Sequence, residues 1–221
     1  MDKGRDLRDA LIVYAAAAVF AVVTVRLKPV FPFVQANASA IVATGFLLLT
    51  GVAIWWRKET TADYGLSTRD WGSEVLTVLV LCAIIFPVYI VGFKIYWKAP
   101  ADFHLALRIP LWSLVLTHLL VVALPEELLF RGFIQQRLGA VFSRRLRVLG
   151  FSLGWHIAAA AALFALGHFV TDFNPNRLAV FFPALVFGAI RERRGSLVGC
   201  TLFHACCNIF SDIVVWGYFP T

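Results

Sequence analysis

Residues 119–133 read LLVVALPEELLFRGF, an apolar run that holds two adjacent carboxylates and one arginine. The charged residues are Glu126, Glu127 and Arg131. A charged side chain at the centre of a membrane helix costs about 2.5–3.5 kcal/mol even on the scale that penalises it least. Ionisable residues at this depth usually face a cavity or one another. The run therefore predicts a polar site inside a membrane-embedded bundle.

The composition indicates a membrane protein. Of the 221 residues, 60% are hydrophobic and 15% are charged, and the mean hydropathy is +0.79, outside the range of soluble domains. The net charge is +7, but the basic residues form short clusters between apolar runs, as in loops beside an anionic lipid surface. Nucleic-acid binding is not expected. The four cysteines lack metal-site spacing, and we assign them no function.

The hydrophobic pattern predicts an all-α fold, a polytopic integral membrane helical bundle of about seven transmembrane helices. The predicted spans are residues 10–25, 36–56, 75–96, 108–138, 150–170, 178–190 and 196–218. The sixth is short for a span of about 20 residues. We expect one domain over residues 1–221, with a motif-bearing core at about 108–212 and the N-terminal spans before it. Whether an eighth helix exists is left open, and no oligomeric state is predicted.

The distribution of Lys and Arg predicts the orientation. With alternate ends of the seven spans assigned to opposite sides, 14 of the 20 Lys and Arg fall on the side of the N-terminus. A cytoplasmic N-terminus satisfies the positive-inside rule. We therefore expect a multi-pass protein of the cell membrane.

The predicted helix that contains residues 119–133 directs its two carboxylates to different faces. Glu127 and Arg131 are four residues apart and share a helix face, so they can form an ion pair. Glu126 points about 100° away from Glu127 on a helix with 3.6 residues per turn. One carboxylate is thus expected to be held in the bundle while the other faces a cavity.

Two further polar pairs lie on later predicted helices. Phe164 and His168 are four apart on the fifth, and His204 and Asn208 are four apart on the seventh. A single intramembrane His or Asn is often only a hydrogen bond between helices. Several such groups on three helices are expensive to bury without compensation, which favours a functional site.

The depths of these groups agree only in part. At about 1.5 Å per helical residue, Glu126 and His204 lie about 17 Å and 15 Å from the cytoplasmic edge. His168 lies more than 20 residues after Arg147 and so comes out deeper. The depths agree only if part of that loop lies on the surface before the fifth span begins.

A carboxylate and imidazoles that converge in a partly dry cavity suit acid–base chemistry. Glu126 can deprotonate a water molecule with the help of His168, while His204 and Asn208 donate hydrogen bonds to a developing oxyanion. This arrangement is that of amide hydrolysis without a covalent intermediate. No cofactor is required.

Three ordered motifs, Glu126-Glu127-x-x-x-Arg131, Phe164-x-x-x-His168 and His204-x-x-x-Asn208, resemble those of the CPBP family. This is the CAAX protease and bacteriocin-processing (Abi) family of glutamic intramembrane endopeptidases, which includes the eukaryotic Ras-converting enzyme. The resemblance covers about residues 108–212.

The resemblance implies that Glu126 and His168 activate water and that His204 and Asn208 stabilise the oxyanion. It implies supporting roles for Glu127 and Arg131, and Phe164 belongs to the second motif. The implied substrate is a membrane-anchored protein or peptide. Family members include prenyl-protein endoproteases, immunity proteins, regulators that cleave anti-sigma factors, and C-terminal sorting (myxosortase-like) enzymes. The compact length indicates a prokaryotic member.

Two other hypotheses for the function of these residues stay open. Glu126, His168 and His204 could bind zinc as in a metalloprotease, since catalytic zinc sites use His and Glu ligands, although the H-E-x-x-H signature is absent. Alternatively, the same groups could line the path of a transporter or serve a bacteriocin-immunity protein. Activity that is lost with a chelator and restored by zinc would favour the metalloprotease, and cleavage that survives Glu126→Ala and His168→Ala would rule out the catalytic assignment.

Overall fold

The computed structural model describes residues 2–66, 70–148 and 151–219. This part of the chain forms seven helices, which we number α1 to α7: Lys3–Leu27, Pro32–Trp56, Trp71–Trp97, Leu111–Val141, Trp155–Asp172, Phe181–Arg194 and Val198–Tyr218. Short 3₁₀ helices at Thr61–Tyr64 and Pro175–Val180 lie in the connections. The predicted helical bundle is confirmed.

Local sequence signals set several helix ends. The Asp2 side chain accepts hydrogen bonds from the first backbone N–H groups of α1, and Asp70 does the same for α3. Such side chains satisfy donors that have no partner within the helix. Pro32 opens α2, where its missing N–H is no loss. Gly195 ends α6 with a φ of 70°, a left-handed conformation that glycine adopts freely.

Five of the seven helices are long and apolar enough to cross a membrane, namely α1, α2, α3, α4 and α7. α6 has 14 residues, hence a length of about 21 Å, less than the roughly 30 Å of a bilayer core. This agrees with the prediction of a short sixth span. α5 has 18 residues and lies between these cases. The surface of α3 that faces away from the bundle is apolar and exposed, as contact with lipid requires.

One feature of the connection before α5 was not predicted. Strands β1 (Arg145–Val148) and β2 (Phe151–Gly154) pair antiparallel, so the fold is nearly all-α. Residue 150, the predicted start of the fifth span, lies outside the described residues, and α5 begins at Trp155. His168 is therefore only 13 residues into its helix, about 20 Å, while Glu126 lies 15 residues before Val141, about 22 Å. The predicted depths of the two groups now agree.

α4 is the centre of the bundle. It contacts α1, α2, α5, α6 and α7, whereas α3 packs against α7 at the periphery. Antiparallel contacts join α1 and α4: the carboxylate of Asp6 accepts from Arg137 at 3.2 Å near the end that carries the N-terminus, and the rings of Tyr14 and Phe130 meet deeper in the bundle. The helix with the two carboxylates is thus surrounded on most sides.

A buried ion network closes the end of the bundle that carries the N-terminus. Arg57 Nη2 donates to Asp6 Oδ1 at 2.5 Å, and Arg137 donates to the same oxygen. Arg137 also donates to Glu59 and to the hydroxyl of Tyr64. Asp6 is 1% exposed and Arg137 5%. These bonds tie α1, α2 and α4 together where charges would otherwise be buried unpaired.

Candidate active site

The two carboxylates occupy a short α-helical turn within an irregular part of α4. Leu124–Glu127 is α-helical, and it is flanked by π-helical stretches at Thr117–Ala123 and Leu128–Ile134. Pro125 contributes to this irregularity, because its ring clashes with the carbonyl one turn earlier and it has no N–H to donate. π-helical segments inside α-helices are frequent at functional sites.

Glu127 is fully buried and contacts two basic side chains. Its Oε1 atom lies 3.0 Å from Arg131 Nη1 and 2.8 Å from His204 Nδ1. Arg131 is 1% exposed and also donates from Nη2 to the backbone carbonyl of Ala184 at 3.2 Å. The carboxylate thus links α4 to α7, and its arginine partner links α4 to α6.

Aromatic rings enclose these charges. The guanidinium carbon of Arg131 lies 4.5 Å from the ring centroid of Phe164 and 5.1 Å from that of Phe187. Phe187 also stacks on the imidazole of His204, with ring centroids 4.6 Å apart. Cations are attracted to the faces of such rings when water is excluded. The rings therefore fix both Arg131 and His204 in position.

The contacts of His204 indicate which of its ring nitrogens donates to Glu127. An ionised Glu127 can only accept, so Nδ1 of His204 carries a proton. Its Nε2 atom lies 3.7 Å from Glu126 Oε2, too far for a hydrogen bond. The Nε2 atom therefore has no hydrogen-bond partner in Glu126 and points to the space beside that carboxylate.

His168 lies on α5, and a backbone carbonyl determines which of its ring nitrogens carries the proton. Its Nδ1 atom is 3.0 Å from the carbonyl oxygen of Phe164, and a carbonyl oxygen can only accept, so Nδ1 donates. In the neutral ring Nε2 then holds the free lone pair and can accept a proton. The ring of Phe164 packs against the imidazole with centroids 4.4 Å apart.

Glu126 and His168 line the same cavity, of about 300 Å³, between α1, α2, α4 and α5. Glu126 Oε2 is buried and has no hydrogen-bond partner within the described part of the chain. A buried carboxylate oxygen needs a donor, and a water molecule or a substrate in the cavity can supply one. The cavity therefore brings together the two residues that the sequence predicts to activate water.

Asn208 is less closely joined to the others. It lies one turn after His204 on α7 and is partly buried, and among the described residues no hydrogen bond links it to Glu126, His168 or His204. Its predicted role as an oxyanion donor stays a prediction.

The sequence reasoning overlooked one polar pair between the same two helices. His118 Nε2 on α4 lies 2.9 Å from Asp212 Oδ2 on α7. Asp212 continues the four-residue spacing of His204 and Asn208, and that repeat was the signal that could have revealed it. The pair lies nearer to the end of the bundle opposite the N-terminus, and it adds a second polar link between α4 and α7.

The described residues do not provide the ligands that the zinc metalloprotease hypothesis requires. Within residues 2–66, 70–148 and 151–219, no three His, Cys, Asp or Glu side chains are grouped so that they could hold a metal ion. The contacts instead tie His204 to Glu127 and turn the Nδ1 atom of His168 to a carbonyl.

Fold and site together define a class: a multi-pass α-helical membrane protein with acid–base groups buried inside its bundle. Comparison with known families is more specific, because residues 108–210 match the family model described as Type II CAAX prenyl endopeptidase Rce1-like. The matched segment is just under half of the chain, and the match supports a membrane protease of the CAAX type. All three motifs lie within it. Neither curated proteins nor solved structures gave a significant match.

Proposed function

We propose that this protein is an intramembrane glutamic endopeptidase that cleaves a membrane-anchored protein substrate. One observation carries the proposal: Glu126, with an unsatisfied carboxylate oxygen, and His168, with a free Nε2 atom, line one cavity inside the bundle. A water molecule between two such groups can lose a proton to either of them.

The proposed reaction uses water as the nucleophile. Glu126 accepts a proton as the water oxygen bonds to the carbonyl carbon of the substrate, and His168 orients that water through Nε2. The carbonyl oxygen becomes an oxyanion. When the tetrahedral intermediate collapses, the C–N bond breaks and Glu126 returns the proton to the leaving amine. The products are a new carboxylate terminus and a new amino terminus.

We assign stabilisation of the oxyanion to His204 and Asn208. Nδ1 of His204 contacts Glu127, and its Nε2 atom lies 3.7 Å from Glu126 Oε2, so the proposed role requires a proton on Nε2. That second N–H is available for an oxyanion beside Glu126, and the side-chain amide of Asn208 is the proposed second donor. Preorganised donors of this kind are often the largest single contribution to catalysis.

We assign Glu127 and Arg131 a positioning role. Glu127 accepts from His204 and pairs with Arg131, and both partners are buried. Its Oε1 atom is thereby engaged twice. Its Oε2 atom lacks a hydrogen-bond partner, as Glu126 Oε2 does, but only Glu126 lines the cavity and can exchange protons with water there. The role of Glu127 is to keep His204 oriented.

We further propose that the whole chain acts as one domain, with the N-terminus cytoplasmic. α1 and α2 lie outside the segment that matches the family, yet they form two walls of the cavity that holds Glu126 and His168. The substrate is proposed to be cut in a membrane-proximal segment. A prenylated CAAX terminus and a C-terminal sorting signal are both substrates of this kind.

The test compares membrane proteomes of cells that express the wild-type protein, Glu126→Gln or His168→Ala. We expect the same membrane proteins to stay uncut in both variants. Asp102→Asn and His104→Ala are matched controls, since both residues are exposed in the connection before α4, and they should process substrates normally. Normal processing by correctly folded Glu126→Gln and His168→Ala would refute the assignment of these two residues to catalysis.

A further inference from the structure

An open groove runs along α1 and α2 on the side that faces away from the catalytic cavity. On α1 its lining includes Ile12 and Val19, both exposed, whereas Tyr14 and Ala21 line the cavity. At about 100° per residue the two pairs point in nearly opposite directions. The α1–α2 groove is therefore separate from the site that holds Glu126.

The groove has two parts that adjoin at Ala16 and Leu49, since these two residues line both. The first part, of about 280 Å³, begins at Arg5 near the end that carries the N-terminus. From Arg5 to Ala16 the rise is about 16 Å, half of the roughly 30 Å of a bilayer core. The second part, of about 850 Å³, continues to Val23 on α1. The groove thus crosses one leaflet completely.

The second part of the groove presents hydrocarbon to its surroundings. Its polar side chains, Asn37 and Thr44, each donate to a backbone carbonyl of their own helix, at 2.9 Å and 2.8 Å, and the rest of its lining is apolar. A packed helix would approach most closely at a glycine, but the ring of Phe20 already covers Gly45. This surface suits a flexible acyl chain better than another helix.

The first part of the groove carries an excess of positive charge. Three guanidinium groups and one carboxylate line it, those of Arg5, Arg8, Arg57 and Asp9. Arg57 is engaged, since it donates to Asp9 at 3.0 Å and to Asp6 at 2.5 Å. The contact of Arg8 with Asp9 is 3.5 Å long, and the Arg8 side chain is 66% exposed. No ion pair joins Arg5 to a carboxylate within residues 2–66, 70–148 and 151–219. Arg5 and Arg8 therefore keep donors for an external anion.

A tryptophan marks the depth of this charged end. Trp56 lines the first part of the groove and is largely exposed. Tryptophan is enriched at the boundary between membrane and water, where the lipid headgroups lie. The arginines are thus at headgroup depth, directly above an apolar furrow.

We infer that the α1–α2 groove binds a phospholipid with an anionic headgroup. Its phosphate contacts Arg5 and Arg8, and one acyl chain lies along the groove past Ala16. Guanidinium groups bind phosphate oxygens in pairs, and basic residues at the membrane surface attract anionic lipids. With the proposed cytoplasmic N-terminus, this lipid comes from the inner leaflet. The inference does not rest on the proposed function, because no step of it involves catalysis.

Native mass spectrometry of the full-length protein tests the inference by counting the lipids that stay bound after release from detergent. The probes are phosphatidylglycerol and phosphatidylcholine with identical acyl chains. We expect phosphatidylglycerol to bind about 25-fold more tightly, from about fivefold for each arginine. Arg5→Gln and Arg8→Gln should each reduce this preference about fivefold. Arg144→Gln is the matched control, an exposed cation at the same end of the bundle that does not line the groove, and it should keep the preference.

Two further variants act on the carboxylate and on the groove itself. Asp9→Asn removes the anion beside the arginines and should strengthen the binding of phosphatidylglycerol about fivefold, a gain that misfolding cannot produce. Ala16→Phe fills the groove where its two parts adjoin and should weaken the binding of phosphatidylglycerol. Ala15→Phe is its control, because Ala15 is equally exposed but does not line the groove, and it should bind this lipid as the wild type does.

Glycerol phosphate, which carries the anion without acyl chains, distinguishes a lipid from a soluble phosphate and should not displace the bound lipid. Displacement would overturn the inference and make the arginines a site for soluble phosphate. Equal binding of the two lipids, or an equal loss of preference in Arg144→Gln, would also overturn it, the latter by reducing the preference to general surface charge. Unchanged binding by Ala16→Phe would contradict the place assigned to the acyl chain.

Discussion

Removal of the Glu127 carboxylate is predicted to destabilise the fold more than any change at the protein surface. Glu127→Ala leaves Arg131 buried without its ion-pair partner and His204 without its acceptor. Loss of one partner of a buried pair costs about 3–5 kcal/mol, largely because the other charge stays buried. For a chain of this size, that corresponds to a fall in Tm of about 6–20 °C.

Thermal unfolding in detergent, followed by tryptophan fluorescence, measures this change. The matched control is Asp172→Ala, which breaks an ion pair with Arg177 in which both side chains are at least 40% exposed, so a loss of no more than about 1 kcal/mol is expected. The double variant Glu127→Ala/Arg131→Met should lose less than the two single changes together, because no unpaired charge then remains. A folded Glu127→Ala with wild-type stability and no cleavage would refute the reasoning and make Glu127, not Glu126, the catalytic carboxylate.

Three further predictions concern pH, metal and the second polar pair. Burial raises the pKa of Glu59, but hydrogen bonds from Arg137 and Tyr64 outweigh this and hold the pKa below its ordinary value. Ionised Glu59 therefore stabilises the fold at pH values above its pKa in the unfolded chain, about 4.3. The wild-type protein should have a larger free energy of unfolding than Glu59→Gln at neutral pH. Unfolding at a series of pH values should show this difference disappear as the pH falls below 4. Chelator should leave cleavage by the purified protein unchanged. A loss of cleavage activity that added zinc restores would instead establish the metalloprotease hypothesis. His118→Ala should lower the unfolding free energy by about 1 kcal/mol and preserve cleavage, because its partner Asp212 is partly exposed; complete loss of cleavage in a folded variant would place that pair in the mechanism.

Much of the bundle could be predicted because lipid imposes a simple rule on the sequence. A run of apolar residues about 20 long must form a helix in a bilayer, since its backbone has no other hydrogen-bond partners there. Each predicted span corresponds to a helix. The i,i+4 spacing likewise anticipates the Glu127–Arg131 ion pair and the packing of Phe164 on His168, because both are local to one helix.

The features that sequence reasoning missed depend on interactions between distant segments or on departures from regular geometry. The paired strands β1 and β2 lie in an arginine-rich connection, and each has only four residues, too few to show a strand pattern. The bond between Glu127 and His204 joins α4 to α7 across 77 residues. The contribution of α1 and α2 to the cavity could not be anticipated either, because these helices carry no polar motif and contribute mainly small apolar side chains.

Glu126 is proposed as the general base and Glu127 as the residue that positions His204. A comparison of cleavage by Glu126→Gln with cleavage by Glu127→Gln tests this assignment most directly. A substrate identified from the membrane proteomes serves as the probe, and rates are normalised to folded protein. Glu126→Gln should unfold at the wild-type temperature and lose cleavage at least about 100-fold, the contribution of a general base, whereas Glu127→Gln should be less stable and retain measurable cleavage. Wild-type cleavage by folded Glu126→Gln would contradict the account.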